Sequence, residues 1–329
     1  MSTLGVSFTD AALEARVLAG VDEVEDQLTA AVDSPETFVA EAAAHLLNAG
    51  GKRFRPLLVM LSAEFGDSSQ PDVARAAVVV ELTHLATLYH DDVMDEAAVR
   101  RGAPSANSRW DNSVAILIGD YLFAQASDLV SDLGTDAVRI QARTFSRLVR
   151  GQIRETIGPD QGADALAHYL DVVADKTGSL IATAALFGAK TAGAPLDVQE
   201  TLTEFGERIG AAFQLADDII DVASETGDSG KTPGTDLREG VPTLPTLIAL
   251  RSTDEESARL RSLLAKPLTD DDEHAEALEL LRAHPAMDEA RAYVQAEADA
   301  ASALLATLPE TPARDALQAL CDTVATRIG

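Results

Sequence analysis

The sequence predicts an all-α protein, and three observations carry that expectation. Apolar residues recur at helical spacing over long segments, and helix start and stop signals bound those segments. Alternating β-branched runs flanked by turn pairs are absent, so no strand is expected. Aromatics make up only 4% of a chain that is 46% hydrophobic, so the core must be built from Ala, Leu, Val and Ile. That composition suits closely packed helices.

Taken in order, the first helix should begin after Thr9 or Asp10 and run to about Val32. Ser34-Pro35-Glu36 opens a second one with a cap, a first-turn proline and an early acid. It stops at Gly50-Gly51. A third helix covers residues 55–65 and ends at Gly66. Pro71 opens a long helix that carries Asp91 to Asp95, followed by a polar loop over residues 96–104. Further helices are expected at residues 113–132, 136–157, 164–190 (with Gly178 inside) and 195–223. Residues 224–240 are rich in Gly, Ser and Asp and read as loop. From Thr243 onward the chain is helical again, with breaks near Pro267, Pro285 and Pro309. No Gly/Ser linker or low-complexity run divides the 329 residues, so one domain over 1–329 is expected.

The net charge of −28 argues against a nucleic-acid partner, which needs a basic face. It argues equally against electrostatic attachment to anionic lipid. The single cysteine, Cys321, excludes an intrachain disulfide and a cysteine-based metal site, and reads as a buried small apolar residue. The first residues lack a basic start and an apolar signal core, and no run of 18 apolar residues exists. No stable membrane insertion is therefore expected, and the cytoplasm is the default location.

The chemistry concentrates in ELTHLATLYHDDVMDEAAVRR, residues 81–101. Asp91 and Asp95 share a helix face, with Asp92 on the neighbouring one. Like charges at this spacing cost about 0.2–0.5 kcal/mol per pair. A hard divalent cation relieves that cost, and carboxylates with a ligand phosphate form the natural Mg²⁺ shell. Arg100 and Arg101 follow at once, a combination that suits a diphosphate. The pattern returns at Asp217, Asp218 and Asp221 in FQLADDIID. Either copy alone reads as well as a solvated acidic face in so aspartate-rich a chain. Two copies, each on an apolar helix and each followed by basic residues, point to a metal–diphosphate site.

These motifs, with GGKRFRP at residues 50–56, GQIRE at 151–155, DKTGS at 175–179 and GTDLREGVPTLP at 234–245, resemble the trans-isoprenyl diphosphate synthases of the polyprenyl synthetase family, of the medium- to long-chain type. The likeness covers residues about 45 to 250, in order and spacing as well as motif. It implies an orthogonal helical bundle around a deep central cavity, with the two acidic helices facing across it. It implies head-to-tail condensation of isopentenyl diphosphate with an allylic diphosphate, with Mg²⁺ (three ions alongside the allylic diphosphate) and a homodimer. Asp91, Asp95 and Asp217 become the first choices as direct ligands, and Asp92, Asp218 and Asp221 complete the pattern. Lys52, Arg55, His84 and Arg101 match the isopentenyl diphosphate pocket. Arg100, Lys176, Thr177, Gln214 and Lys231 match the allylic diphosphate side. Gln152 and Glu155 stand in a GQxxD-like motif with Glu replacing Asp, and His90 has no assigned role. Val241 occupies a position where many members have lysine, so one phosphate contact is expected to be missing.

The resemblance also offers a ruler for product length. Members making short products carry a bulky aromatic four or five positions before the first Asp. Here those positions are Thr87 and Ala86. Ala86, Thr83 and Val79 form one stripe at spacings of three and four. None is aromatic, so a product longer than twenty carbons is expected, and Ala86→Phe is expected to shorten it. Tyr121 and Phe123 are candidates for a floor on the helix at 113–132. The competing readings are a short-chain farnesyl or geranylgeranyl diphosphate synthase, a terpene cyclase, and a non-catalytic synthase subunit. A cyclase needs no GGKRFRP pocket, and a non-catalytic subunit typically has degraded acidic motifs.

Overall fold

The computed structural model describes residues 6–224 and 233–327. Helix α1 (Ala11–Val32) starts where the Asp10 side chain accepts from the Leu13 N–H at 2.6 Å, and it buries Leu13, Val17, Val21, Val24, Leu28 and Val32. Helix α2 (Thr37–Asn48) begins later than its Ser-Pro-Glu signal predicts, and the Ser34 hydroxyl donates to the Glu36 carboxylate at 2.8 Å while accepting the Glu36 N–H at 3.3 Å. Helix α3 (Phe54–Ala63) is entered through Arg53 in the left-handed region at φ 46°. Helix α4 (Pro71–Met94) has its proline in the first turn and ends with the Asp95 N–H on the Asp91 carbonyl at 2.8 Å.

The loop after α4 holds two short strands that the sequence did not announce, β1 (Val99–Arg100) and β2 (Ala103–Pro104), paired antiparallel. They are joined through Arg101 and Gly102 at φ 54° and 76°, the pair of positive values that a type I′ hairpin requires. Helices α5 (Ala106–Arg109), α6 (Asn112–Asp132) and α7 (Thr135–Ile157) follow, with α6 capped by Asp111. The helix expected at 164–190 is interrupted: α8 (Ala165–Val173) passes through one π-helical turn, Ala174–Gly178, into α9 (Ser179–Thr191). Helix α10 (Leu196–Ala223) carries the second acidic motif. A short α11 (Thr235–Glu239) lies inside the stretch expected to be loop. Then come α12 (Leu244–Leu250), α13 (Ala258–Leu263), α14 (Asp271–Ala283), α15 (Ala286–Leu305) and α16 (Pro312–Thr326), with interruptions close to Pro267, Pro285 and Pro309.

The chain forms two compact units: Met1–Ser146 with Leu180–Gly206 and Leu304–Leu320, and Arg147–Ser179 with Glu207–Ala303 and Cys321–Gly329. In the first unit α4 is buried on nearly every side and packs on α1, α3 and α6. Gly119 permits the close approach of α6, since a Cβ there would lie 2.3 Å from His90 Nε2 and 3.1 Å from the Ala86 carbonyl oxygen. Tyr89, fully buried, donates to the Ala42 carbonyl and accepts from the Leu46 N–H, tying α4 to α2. In the second unit α12 packs on α8, α13 and α14. Cys321 is buried, and loss of hydration pushes its thiol up to about 12.

By length and composition alone, Asn112–Asp132 and Ala165–Thr191 could cross a membrane. In the second of these, 78% of the apolar window is buried within the protein, and α6 buries one face while packing on α4.

Candidate active site

In the first unit the GGKRFRP turn and the hairpin arginine converge on Glu81 of α4. Glu81 is 2% exposed and is met by Arg53 at 3.3 Å and Arg101 at 4.0 Å. Arg53 is also bound by Glu25 and donates to the Leu47 carbonyl at 3.2 Å. Arg101 donates to the carbonyls of Leu46 (3.0 Å) and Gly50. Gly51 makes room for both arginines: a Cβ there would lie 2.7 Å from the Arg53 guanidinium and 3.1 Å from that of Arg101.

Arg55 joins this group with its Nε buried and no hydrogen-bond partner. Burial, with Arg101 adding to it, pushes its guanidinium down to about 10. His84 faces the same cations. Burial and then Arg55 and Arg101 hold it well below the ordinary histidine range, so it is neutral at pH 7. Lys52 stands exposed at the rim. Three arginines against the two carboxylates of Glu25 and Glu81 leave an excess of positive charge in a largely desolvated setting, and the orphaned Arg55 N–H still needs an acceptor. A diphosphate supplies both the charge and the acceptor oxygens.

At the end of α4, Asp92 is completely buried. Its Oδ1 accepts from Arg100 Nε at 2.6 Å, and the same guanidinium reaches Asp95 at 3.6 Å. Arg100, expected at the allylic diphosphate, thus bridges two members of the acidic motif. Asp92 Oδ2 is buried without a hydrogen-bond partner. An orphaned carboxylate oxygen beside Asp91 and Asp95 fits a hard divalent cation. Among the described residues no three ligating side chains converge closely enough to hold an ion by themselves.

The half-buried face of α4 runs through His84, Thr87 and Asp91, whereas Val79, Thr83 and Ala86 are fully buried. The stripe expected to line the growing product is therefore packed. Ala86 lies under Gly119 of α6, and Thr83 accepts from Gln141 of α7 at 3.4 Å. Tyr121 donates to the Asp33 carbonyl and Phe123 stacks on Phe145 with ring centroids 3.9 Å apart. His90 turns to α6, where it meets the Ile116 carbonyl and Asp120.

The second unit carries the other motif. Lys176 and Thr177 sit on the π-helical turn, a distortion frequent at functional sites. Buried Asp175 holds the turn from below by accepting from Arg147 at 2.9 Å and Arg150 at 3.1 Å. Gly151 lets α7 close on it, since a Cβ there would lie 2.9 Å from the Lys176 nitrogen. Lys176 pairs with Glu155 at 2.6 Å, which gives the Glu of GQIRE its partner, and Gln152 Oε1 is buried without one.

Thr177 donates to Gln214 Oε1 at 3.2 Å, and Gln214 reaches Asp218 Oδ1 at 3.4 Å. Asp218 is buried, and burial, with Asp217 adjoining, raises its carboxyl to about 6. Asp217 is bound by Arg327 at 2.9 Å. Asp221 accepts the N–H groups of Thr235 and Asp236 at the start of α11. Val241 is exposed. Lys231 lies outside the described residues.

Sequence reasoning missed Tyr169, Asp175 and Arg327. Tyr169 falls seven residues before Lys176, two helical turns, which is a usable signal. Arg327 lies 110 residues from its partner and has none.

A helical fold that presents two aspartate-rich helix segments, a cluster of arginines and a Lys-Thr turn defines the isoprenoid synthase class. A sequence model described as polyprenyl synthetase matches residues 36–281, and the chain belongs to that family of prenyltransferases. It is 52% identical over 328 residues to a nonaprenyl diphosphate synthase of Mycobacterium tuberculosis, covering 99% of this chain and 97% of that one. It is 42% identical to a dimethylallyltranstransferase of the same organism, with 96% and 97% covered. Among solved structures it is similar to a geranylgeranyl pyrophosphate synthase from Corynebacterium glutamicum complexed with calcium and isoprenyl diphosphate. That match has a TM-score of 0.89 and 48% identity, covering 98% of this chain and all of the other.

Proposed function

We propose that this protein is a Mg²⁺-dependent trans-polyprenyl diphosphate synthase acting as a single functional domain. It would join isopentenyl diphosphate to an allylic diphosphate repeatedly, to a product longer than twenty carbons. The observation that carries the reading is the pairing of an under-neutralised arginine cluster with an acidic helix end that holds an orphaned carboxylate oxygen. Arg55, Arg101, Lys52 and His84 hold the isopentenyl diphosphate. Arg53 is committed to Glu25 and Glu81 and shapes the pocket. Lys176 contacts the allylic diphosphate, with Arg100 and Lys231 assisting, and Thr177 places its oxygen near the developing cation.

The C–O bond of the allylic diphosphate breaks with its electron pair on oxygen. The double bond of isopentenyl diphosphate attacks the freed carbon, and a proton leaves. Mg²⁺ held by Asp91, Asp95 and Asp217 (three ions in all) would neutralise charge on the departing diphosphate.

The small residue Thr87 on the half-buried face before Asp91, together with the nonaprenyl synthase relative, supports a product of roughly thirty to fifty carbons, about one helical turn per isoprene unit. The geranylgeranyl synthase of similar fold favours the shorter reading. A homodimer is supported by the exposed apolar side chains Ile116, Leu117 and Val138 on α6 and α7, with Leu117 65% exposed. The cytoplasm suits charged, water-soluble substrates.

Incubation with labelled isopentenyl diphosphate, an allylic primer and Mg²⁺, followed by product sizing, tests the reading. A product of twenty carbons or fewer refutes the length assignment. Full activity in EDTA refutes the metal requirement.

A further inference from the structure

Asp218 is the most confined carboxylate of the second acidic motif, at 4% exposure. Its Oδ2 accepts the Tyr169 hydroxyl and, at 3.2 Å, the N–H of Leu244 at the start of α12. Its Oδ1 faces Gln214 at 3.4 Å, and Gln214 accepts from Thr177 at 3.2 Å. One line of hydrogen bonds therefore runs from Tyr169 on α8 through Asp218 and Gln214 on α10 to Thr177 on the π-helical turn. Tyr169 and Lys176 are seven residues apart, so α8 delivers the phenol to the motif from the same segment that delivers the Lys-Thr pair.

We infer that Tyr169 is a positioning residue for the second acidic motif. Its hydroxyl locks Asp218 in one orientation and thereby sets the aim of Asp217, one residue away, and of Thr177 through Gln214. The inference rests on the metal-binding reading proposed above.

The phenol is suited to this task. Its hydroxyl carries a proton at neutral pH and donates it to Asp218 Oδ2, an acceptor-only group when ionised. Without that donor the buried carboxylate keeps only the Leu244 N–H at 3.2 Å and the Gln214 amide at 3.4 Å, so its desolvation is under-compensated and it reorients. Partners that orient a metal ligand typically matter by about 10- to 100-fold in metal affinity. The bland alternative is a packing aromatic whose hydroxyl bonds the nearest acceptor. In that case loss of the hydroxyl lowers stability and leaves metal binding alone.

Tyr169→Phe removes one oxygen and keeps the ring. The full-length enzyme is saturated with a thiolo analogue of the allylic diphosphate that cannot ionise, and Mn²⁺ binding is followed by electron paramagnetic resonance. We expect about a tenfold or greater weakening of Mn²⁺ binding in Tyr169→Phe. The KM for isopentenyl diphosphate, whose pocket lies in the other unit, should stay within about twofold, well under that range. Tyr169→Phe and Asp218→Asn should be non-additive, because they act through one bond.

Unchanged Mn²⁺ affinity in Tyr169→Phe, with or without a lower Tm, overturns the assignment when Asp217→Asn has lost the metal. Full additivity with Asp218→Asn overturns it too. Wild-type metal binding by both Asp217→Asn and Asp91→Asn overturns the metal reading itself.

Discussion

Placing an aromatic ring immediately before the first acidic motif separates two adjacent positions that the sequence treats alike. Thr87 lies one turn before Asp91, about 6 Å along the helix axis, on the half-buried face they share. Its hydroxyl is tied only to the His84 carbonyl of its own helix, at 2.8 Å. Thr87→Phe therefore projects a ring over the path of the growing chain without displacing a neighbouring helix. Ala86 has no exposed surface, and its carbonyl oxygen lies at the α4–α6 contact opened by Gly119. A phenyl group there has no space. Overpacking costs about 1–3 kcal/mol, and a protein of this size loses roughly 1–2 °C in Tm for each kcal/mol.

The expected outcome is a Thr87→Phe enzyme with near wild-type Tm whose products stop at fifteen or twenty carbons. The companion Ala86→Phe enzyme should have a Tm lower by about 1–6 °C. Radiolabelled products, dephosphorylated and sized by reversed-phase chromatography, give the first readout, and differential scanning fluorimetry gives the second. Wild-type product length from Thr87→Phe would refute the placement of the chain path. So would a shortened product from an Ala86→Phe enzyme of undiminished stability.

Asp91→Asn and Asp217→Asn should each reduce turnover by orders of magnitude in steady-state assays, since a metal contact to the departing charge is lost. His84, whose folded-state value lies well below the unfolded one, binds its proton more readily in the unfolded chain. Stability should therefore fall as pH drops from about 6.5 towards the depressed folded value. A His84→Asn enzyme should show a smaller decrease in Tm between pH 7 and pH 5 than the wild type. An equal decrease would exclude His84 as a source of acid sensitivity. Val241 is exposed, so Val241→Lys should be accommodated and should lower the KM for the allylic primer. An unchanged KM would indicate that no phosphate contact is missing there.

The helical class, the order of the elements, the acidic pairs and the basic turn are legible in the sequence because each depends on residues within a few turns of one another. Spacing of three and four places Asp91 with Asp95, and a proline or glycine punctuates most helices. The hairpin at residues 99–104 escaped because its strands are two residues long and its turn puts an arginine at positive φ. The π-helical turn escaped because Ala-Asp-Lys-Thr-Gly has no pattern that distinguishes it from a helix.

What tertiary structure alone decided is which polar groups meet. Arg100 was assigned to a diphosphate by its position in the motif, but burial of Asp92 brings that arginine onto the acidic cluster. The ruler stripe was assigned by helical spacing, but spacing defines a face without saying whether another helix covers it. Gly119 lets α6 cover that face at Ala86. Tyr169 and Asp218 are 49 residues apart, and Arg327 and Asp217 are 110 apart. The sequence by itself determined the chemistry that this protein carries, because charge and spacing are local. The partner of each carboxylate is a non-local quantity, fixed by which helices pack and how deeply each oxygen is removed from water.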